Sequence, residues 1–215
     1  MPLKIAHRGY CITYNNNTVG SIKDAIHNNF DMIEIDIQLD KNDEILLFHD
    51  SHYKDRLIQT YSYNELKEEI PDIILLSTLF QVIDYKNVKI YLDLKGCDIL
   101  ADKLHNLFKK MDIDTTNIWI ASFNLNHIEI MKEKGVLYNL GLITSNNYTI
   151  DILSFIVSKY RLGFVAFDLT MLNKNSIQFL QNRNINVFAY TIKNLDMLKN
   201  IELYNVDGFV SDIIL

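Results

Sequence analysis

From residue 3 to residue 212 the chain alternates between two kinds of apolar spacing, and this alternation is what most restricts its fold. Strand-like runs are expected over residues 3–6, 31–38, 88–96, 117–122, 138–143, 163–167, 187–191 and 208–212. Helix-like spacing follows every one of them except the last. Strands that alternate with helices argue for a parallel sheet. Eight such units argue for an α/β fold of the (β/α)8 TIM-barrel class, whose size range of roughly 200 to 400 residues just admits a chain of 215. An open doubly wound sheet is the other fold with this pattern. One apolar run, residues 45–50, follows strand two too closely for a parallel crossover, which needs roughly a dozen residues. It must fold back as a hairpin. The expectation is a single barrel domain over residues 1–215 with a short hairpin inserted after strand two.

The second strand carries an unusual pair of faces. In Ile33-Glu34-Ile35-Asp36-Ile37 the isoleucines share one side and the two acids share the other. If the strand is buried on both sides, two carboxylates need a cation or donors to offset their desolvation. Carboxylate oxygens suit Mg²⁺ or Ca²⁺. If the strand instead has one face in water, the acids need no partner. The hairpin weighs on this choice, because it returns His49 toward the level of Glu34 and Asp36.

In a barrel of this class, chemistry collects at the carboxyl ends of the strands. Those ends read His7-Arg8, Glu34 with Asp36, Asp93 with Lys95, Ser122-Phe123, Asp168, Tyr190-Thr191 and Asp212, with His49-Asp50 closing the hairpin arm. Several have an ordinary structural reading: Asp168 and Asp212 as caps of the segments after them, Ser122 as a helix cap, Tyr190 as core, and Lys95 paired to Asp93. Taken together the ends make a chemical set. Glu34, Asp36 and Asp93 could hold one hard divalent cation. Arg8 and Lys95 could neutralise a phosphate. Histidines ionise near neutral pH, so His7 and His49 can serve as an acid–base pair. Metal, cations and paired histidines are what cleavage of a phosphodiester requires.

Composition narrows the alternatives. A net charge of −6 speaks against a nucleic-acid binder, which would carry a basic face. No apolar run is long enough to span a bilayer, and the start of the chain has no signal-peptide pattern, so a cytoplasmic protein without integral membrane association is expected. Cys11 and Cys97 are then expected as free thiols. The oligomeric state is not readable from these features.

The motifs Ala6-His7-Arg8-Gly9, Asn17-Thr18, Ile33-Glu34-Ile35-Asp36, Phe48-His49-Asp50, Leu92-Asp93-Leu94-Lys95, Ser122-Phe123, Tyr190-Thr191 and residues 206–212 run in order through nearly the whole chain. In that order they resemble the glycerophosphodiester phosphodiesterases, metal-dependent TIM-barrel enzymes. The resemblance implies Glu34, Asp36 and Asp93 as ligands of a divalent cation (Mg²⁺ or Ca²⁺). It implies His7 and His49 in acid–base catalysis, and Arg8, Lys95 and Tyr190 in binding the phosphate and substrate. The implied partner is a small glycerophosphodiester, cleaved to sn-glycerol 3-phosphate and an alcohol. The chain departs from the family in four places, one of them the short segment between the hairpin arm and strand three, Ser51 to Val88. Asn15-Asn16 stand where Pro-Glu is usual, position 93 is usually Glu, and the strand-seven aromatic is usually Trp. Spider-toxin phospholipases D are similar to this chain at position 93. An enzyme acting on lysophospholipids or sphingomyelin is therefore one alternative, and a weakly catalytic phosphate-binding barrel is another.

Overall fold

The computed structural model describes every residue except Ile12 and Leu215. In chain order its elements are β1 (Leu3–Ala6), α1 (Val19–His27), β2 (Met32–Leu39), β3 (Ile45–Leu47), the two-residue strands β4 (His52–Tyr53) and β5 (Arg56–Leu57), α2 (Tyr63–Glu69), α3 (Leu76–Val82), β6 (Lys89–Leu94), α4 (Ile99–Met111), β7 (Ile118–Ser122), α5 (Leu125–Glu133), β8 (Asn139–Thr144), α6 (Ile150–Tyr160), β9 (Phe164–Asp168), α7 (Lys174–Gln181), β10 (Asn186–Ile192), α8 (Leu195–Glu202) and β11 (Gly208–Ser211). β1, β2 and β6 to β11 pair in parallel, each with the next, and β1 closes the ring against β11. This is the expected (β/α)8 barrel. No helix among the described residues is long and apolar enough to cross a membrane.

All eight residues of β2 are buried, as both faces of a parallel strand should be. Ile33, Ile35 and Ile37 join the outer core shared with the helices, while Met32 belongs to the inner core of the barrel. That inner core is aromatic. Phe164 lies 5.1 Å from Trp119, 5.2 Å from Phe188 and 5.3 Å from Tyr91 between ring centroids. Gly141 makes the room, since a Cβ there would stand 2.3 Å from the Phe164 ring.

The hairpin forms as expected, with Ile37 opposite Leu47 and Leu39 opposite Ile45. Its placement creates a seam. β1 pairs with one edge of β2 only at Met32 and Ile33, and β3 takes the same edge from Ile37 onward. Between them the edge of β2 has no strand partner. The Asn17 side chain fills the gap. Its Oδ1 accepts from the Asp36 N–H at 3.1 Å, and its Nδ2 donates to Asp36 Oδ2 at 2.9 Å.

The helices start largely where their caps predict. Thr18 and Ser62 form capping boxes, with Ser21 and Glu65 respectively. α3 is the exception. Spacing and the possible caps Ser77 and Thr78 predict a helix over 79–85, yet it runs Leu76–Val82 with no side-chain cap. The preceding residues decide this: the Leu47 N–H donates to the Ile74 carbonyl, and Leu75 bridges Leu46. The chain is thus fixed to β3 until residue 75, and Leu76, Leu79 and Phe80 then bury the apolar face.

Candidate active site

Inward positions recur every second residue along a strand, so two residues beyond the inner core the same faces project from the carboxyl end of the barrel. β1 passes from Ile5 to His7, β2 from Met32 to Glu34 and Asp36, β6 from Tyr91 to Asp93 and Lys95, β10 from Phe188 to Tyr190, and β11 from Val210 to Asp212. All eight residues proposed from the sequence line a single cleft of about 530 Å³: His7, Arg8, Glu34, Asp36, His49, Asp93, Lys95 and Tyr190.

Glu34, Asp36 and Asp93 are buried, and one oxygen from each lies within 4.8 Å of the others. Burial pushes the Glu34 carboxyl well above its ordinary pKa, with Asp36 and Asp93 adding to the shift. Burial also raises Asp93, to about 7, against the pull of Lys95. At Asp36 burial acts in the same direction, but Lys95 and Arg8 outweigh it and the carboxyl ends below its ordinary value. Asp93 Oδ1 is buried with no hydrogen-bond partner. Such an atom costs free energy until something coordinates it. Three converging hard oxygens, two of them on carboxyls that burial raises, fit a divalent cation.

Two cations stand beside the acids. Lys95 Nζ lies 3.1 Å from Asp36 Oδ1 and also donates to Asp93 Oδ2. Desolvation alone would lower the Lys95 pKa, but Asp93 and Asp36 reverse this and hold it above its usual value. Arg8 Nε lies 3.1 Å from Asp36 Oδ2, yet its N–H is not aimed there and has no hydrogen-bond partner. The Arg8 backbone is left-handed (φ 59°). It is held so by three bonds: its N–H donates to Glu34 Oε2 at 2.8 Å, and its carbonyl accepts from Asn17 N and Ser21 Oγ. Gly9 follows at φ 80°, against Ser21, where a Cβ would stand 2.5 Å from Ser21 Oγ.

The loop that carries Lys95 is fastened from below. Ser122 Oγ donates to the Leu94 carbonyl at 2.8 Å, and the fully buried His127 joins Ser122 Oγ (2.9 Å) to the Cys97 carbonyl (2.8 Å). Ser122 therefore acts in this turn, while Asn124 is the cap of α5.

Each of the two cleft histidines holds a carboxylate through Nδ1. His7 meets Asp212 at 2.5 Å, and His49 meets Asp50 at 2.7 Å. The two pairs differ in setting. The His7 side chain is 19% exposed and His49 39%. The Asp212 carboxyl is raised by burial but lowered more by His7, and ends below its ordinary value. Asp212 thus pairs with His7, where the sequence reading took it for a cap of the next segment, whereas Asp168 does accept from the Thr170 N–H as a cap. The signal for Asp212 was closure: a ring of eight strands puts the end of β11 beside the end of β1. At the cleft wall Tyr190 packs edge-on to Phe123, with centroids 6.1 Å apart, and its hydroxyl is buried without a partner. Cys11 also lines the cleft, and burial pushes its thiol up to about 11. Both cysteines are free.

A profile of the glycerophosphoryl diester phosphodiesterase family matches residues 7–215. The chain belongs to this family. It is therefore a phosphoric diester hydrolase by descent. The glycerophosphodiester phosphodiesterase of Caldanaerobacter subterraneus subsp. tengcongensis is 22% identical over 239 aligned positions, covering 98% of this chain and 93% of that one. Among solved structures, the glycerophosphodiester phosphodiesterase of Thermotoga maritima superposes with a TM-score of 0.83 at 22% identity, covering 99% of this chain and 95% of that one. An Oleispira antarctica phosphodiesterase, solved with its product sn-glycerol-3-phosphate, superposes with a TM-score of 0.89 at 19% identity, covering 100% of this chain and 94% of that one. These family structures share the barrel.

Proposed function

We propose that this barrel hydrolyses glycerophosphodiesters to sn-glycerol 3-phosphate and an alcohol, with one divalent cation held by Glu34, Asp36 and Asp93. The observation that carries the reading is the buried, unpartnered Asp93 Oδ1 in a three-carboxylate cluster, in the same cleft as two histidines. When bound, the cation would supply positive charge to the phosphate oxygens. Mg²⁺ and Ca²⁺ both suit the all-oxygen donor set.

The remaining roles fall to the chain's own groups. Arg8 Nε is buried and has no acceptor, so a phosphate oxygen entering the cleft completes its bonding. Lys95 sits beside Asp36 and Asp93 and adds positive charge to the equatorial oxygens as negative charge builds on them. His7 and His49 use Nδ1 on a carboxylate, which leaves Nε2 as the atom that takes or gives a proton. One imidazole removes the proton from the attacking hydroxyl and the other protonates the departing alcohol. The attacker is the neighbouring hydroxyl of the substrate's own glycerol. This gives a cyclic phosphate, which water then opens with the proton transfers reversed. Tyr190 offers its unpartnered hydroxyl and ring face to the substrate.

The test is release of glycerol 3-phosphate from glycerophosphocholine in the presence of Mg²⁺ or Ca²⁺, abolished by EDTA and restored by adding the ion back. Turnover at the parent rate by the His7→Ala/His49→Ala double variant would overturn the mechanism.

A further inference from the structure

His49 stands outside the ladder that delivers it. The arm stays hydrogen-bonded to β2 as far as the Phe48 N–H, which donates to the Asp36 carbonyl at 3.1 Å, and residues 48–50 belong to no strand. What holds the next stretch is one side chain. Gln38 is 1% exposed, and its Nε2 donates to the Phe48 carbonyl at 2.8 Å and to the Asp50 carbonyl at 2.9 Å. These are the carbonyls of the two residues that flank His49 in the chain.

We propose that Gln38 is a positioning residue for His49: one amide nitrogen clasps the carbonyls of its two neighbours, Phe48 and Asp50, and ties the imidazole between them to the strand that carries Glu34 and Asp36. The chemistry of the side chain fits the task. A primary amide has two N–H donors on one planar nitrogen, and there are two acceptors to fill. Glutamate has no donor when ionised. Methionine has the length and no donor at all. Gln38 also shares its face of β2 with Asp36, two residues away. A shift of the clasp therefore changes the distance between the imidazole and the carboxylate cluster. A clasp that only stabilised the fold would have no such selective effect. The proposal rests on the reading of His49 as an acid–base residue, and its test separates the two.

The experiment is a double-mutant cycle on glycerophosphocholine cleavage at saturating divalent ion, using Gln38→Met, His49→Ala and the pair. With Gln38→Met alone, kcat is expected to fall about 10- to 100-fold, the scale on which roughly an ångström of misplacement costs rate. KM and the affinity for Mg²⁺, measured by calorimetry, stay within about twofold, because the Phe48 N–H still holds the Asp36 carbonyl and the Asp36 carboxylate keeps Asn17 and Lys95. In the His49→Ala background the same substitution has no further effect on kcat, since residues acting as one unit are non-additive. Full additivity, or a Gln38→Met kcat within about twofold of the parent, overturns the proposal. If His49→Ala by itself leaves kcat unchanged, the acid–base reading fails and the clasp's role fails with it. Should Gln38→Met not give a cooperative melt, Gln38→Ala, which lets water reach both carbonyls, takes its place with the same expected outcomes.

Discussion

The inside of this barrel has two storeys built on the same strands, and they obey opposite rules. The lower one is dry and aromatic, with Tyr91, Phe164 and Phe188 buried against Trp119. The upper one, a single step of two residues along each strand, holds Glu34, Asp36, Asp93 and Lys95, all deeply placed and all charged or titratable. The same strands lead into both. What differs is how each side chain's burial is compensated: below by dispersion and area, above by ion pairs, a clasping amide and a site for a cation. Stability and chemistry are thereby stacked along one set of strands, so a substitution's height in the barrel should decide which property it damages.

The strongest challenge to that division is the pair of histidines. His7→Ala/His49→Ala is expected to lower kcat by more than about 10⁴-fold, since each acid–base group contributes roughly 10² to 10⁴. Its melting temperature should stay within a few degrees of the parent, as calorimetry would show. Phe164→Ala is the mirror case. Emptying a fully buried aromatic position costs about 3–5 kcal/mol, or roughly 6–20 °C at about 2–4 °C per kcal/mol for a chain of this size. The specific activity of the protein that remains folded should change little.

The pH dependence of the upper storey sharpens the contrast further. Asp93 has its folded pKa raised to about 7 by burial, so below that pH the cation-free folded state binds a proton that the unfolded chain has released. Stability of the chelated protein should therefore fall as pH rises from about 4 to about 7. Asp36, shifted downward, acts in the opposite sense and at lower pH. Asp93→Asn should remove the Asp93 part of the slope, read as melting temperature against pH with EDTA present. Affinity for Mg²⁺ in the parent should rise over the same interval as protons cease to compete. The smallest effect is expected at the join between storeys. His127→Leu takes one of two donors from the Cys97 carbonyl, which keeps the Leu100 N–H, and should cost about 1 kcal/mol, measured by urea unfolding.

Much of this was legible in the sequence because period and count are local properties. Eight alternations gave the ring, and the parity of Ile33 to Ile37 placed Glu34 and Asp36 on the inner face. The short gap after β2 forced the hairpin that returns His49. What escaped depends on contacts between distant segments. Asp212 reads as a cap until the ring closes and sets it against His7. Asn17 entered as a possible cap of α1, a place Thr18 takes, and as part of the family motif, since its use as a stand-in for strand pairing depends on where β1 stops and β3 begins. Gln38 drew no reading from the sequence because its acceptors lie ten and twelve positions away on a returning arm. α3 started early because its tether to β3 outweighed the cap residues within it.

The seam beside Asp36 carries a mechanical consequence. A closed ring of strands resists opening wherever its ladder is continuous, and this one is interrupted where the first turn of chain and the returning arm meet end to end. An asparagine amide is stitched across that slit, beside the bond from the Arg8 N–H to Glu34. Were it to tear, the barrel would part at the level of its chemistry while the aromatic floor stayed shut.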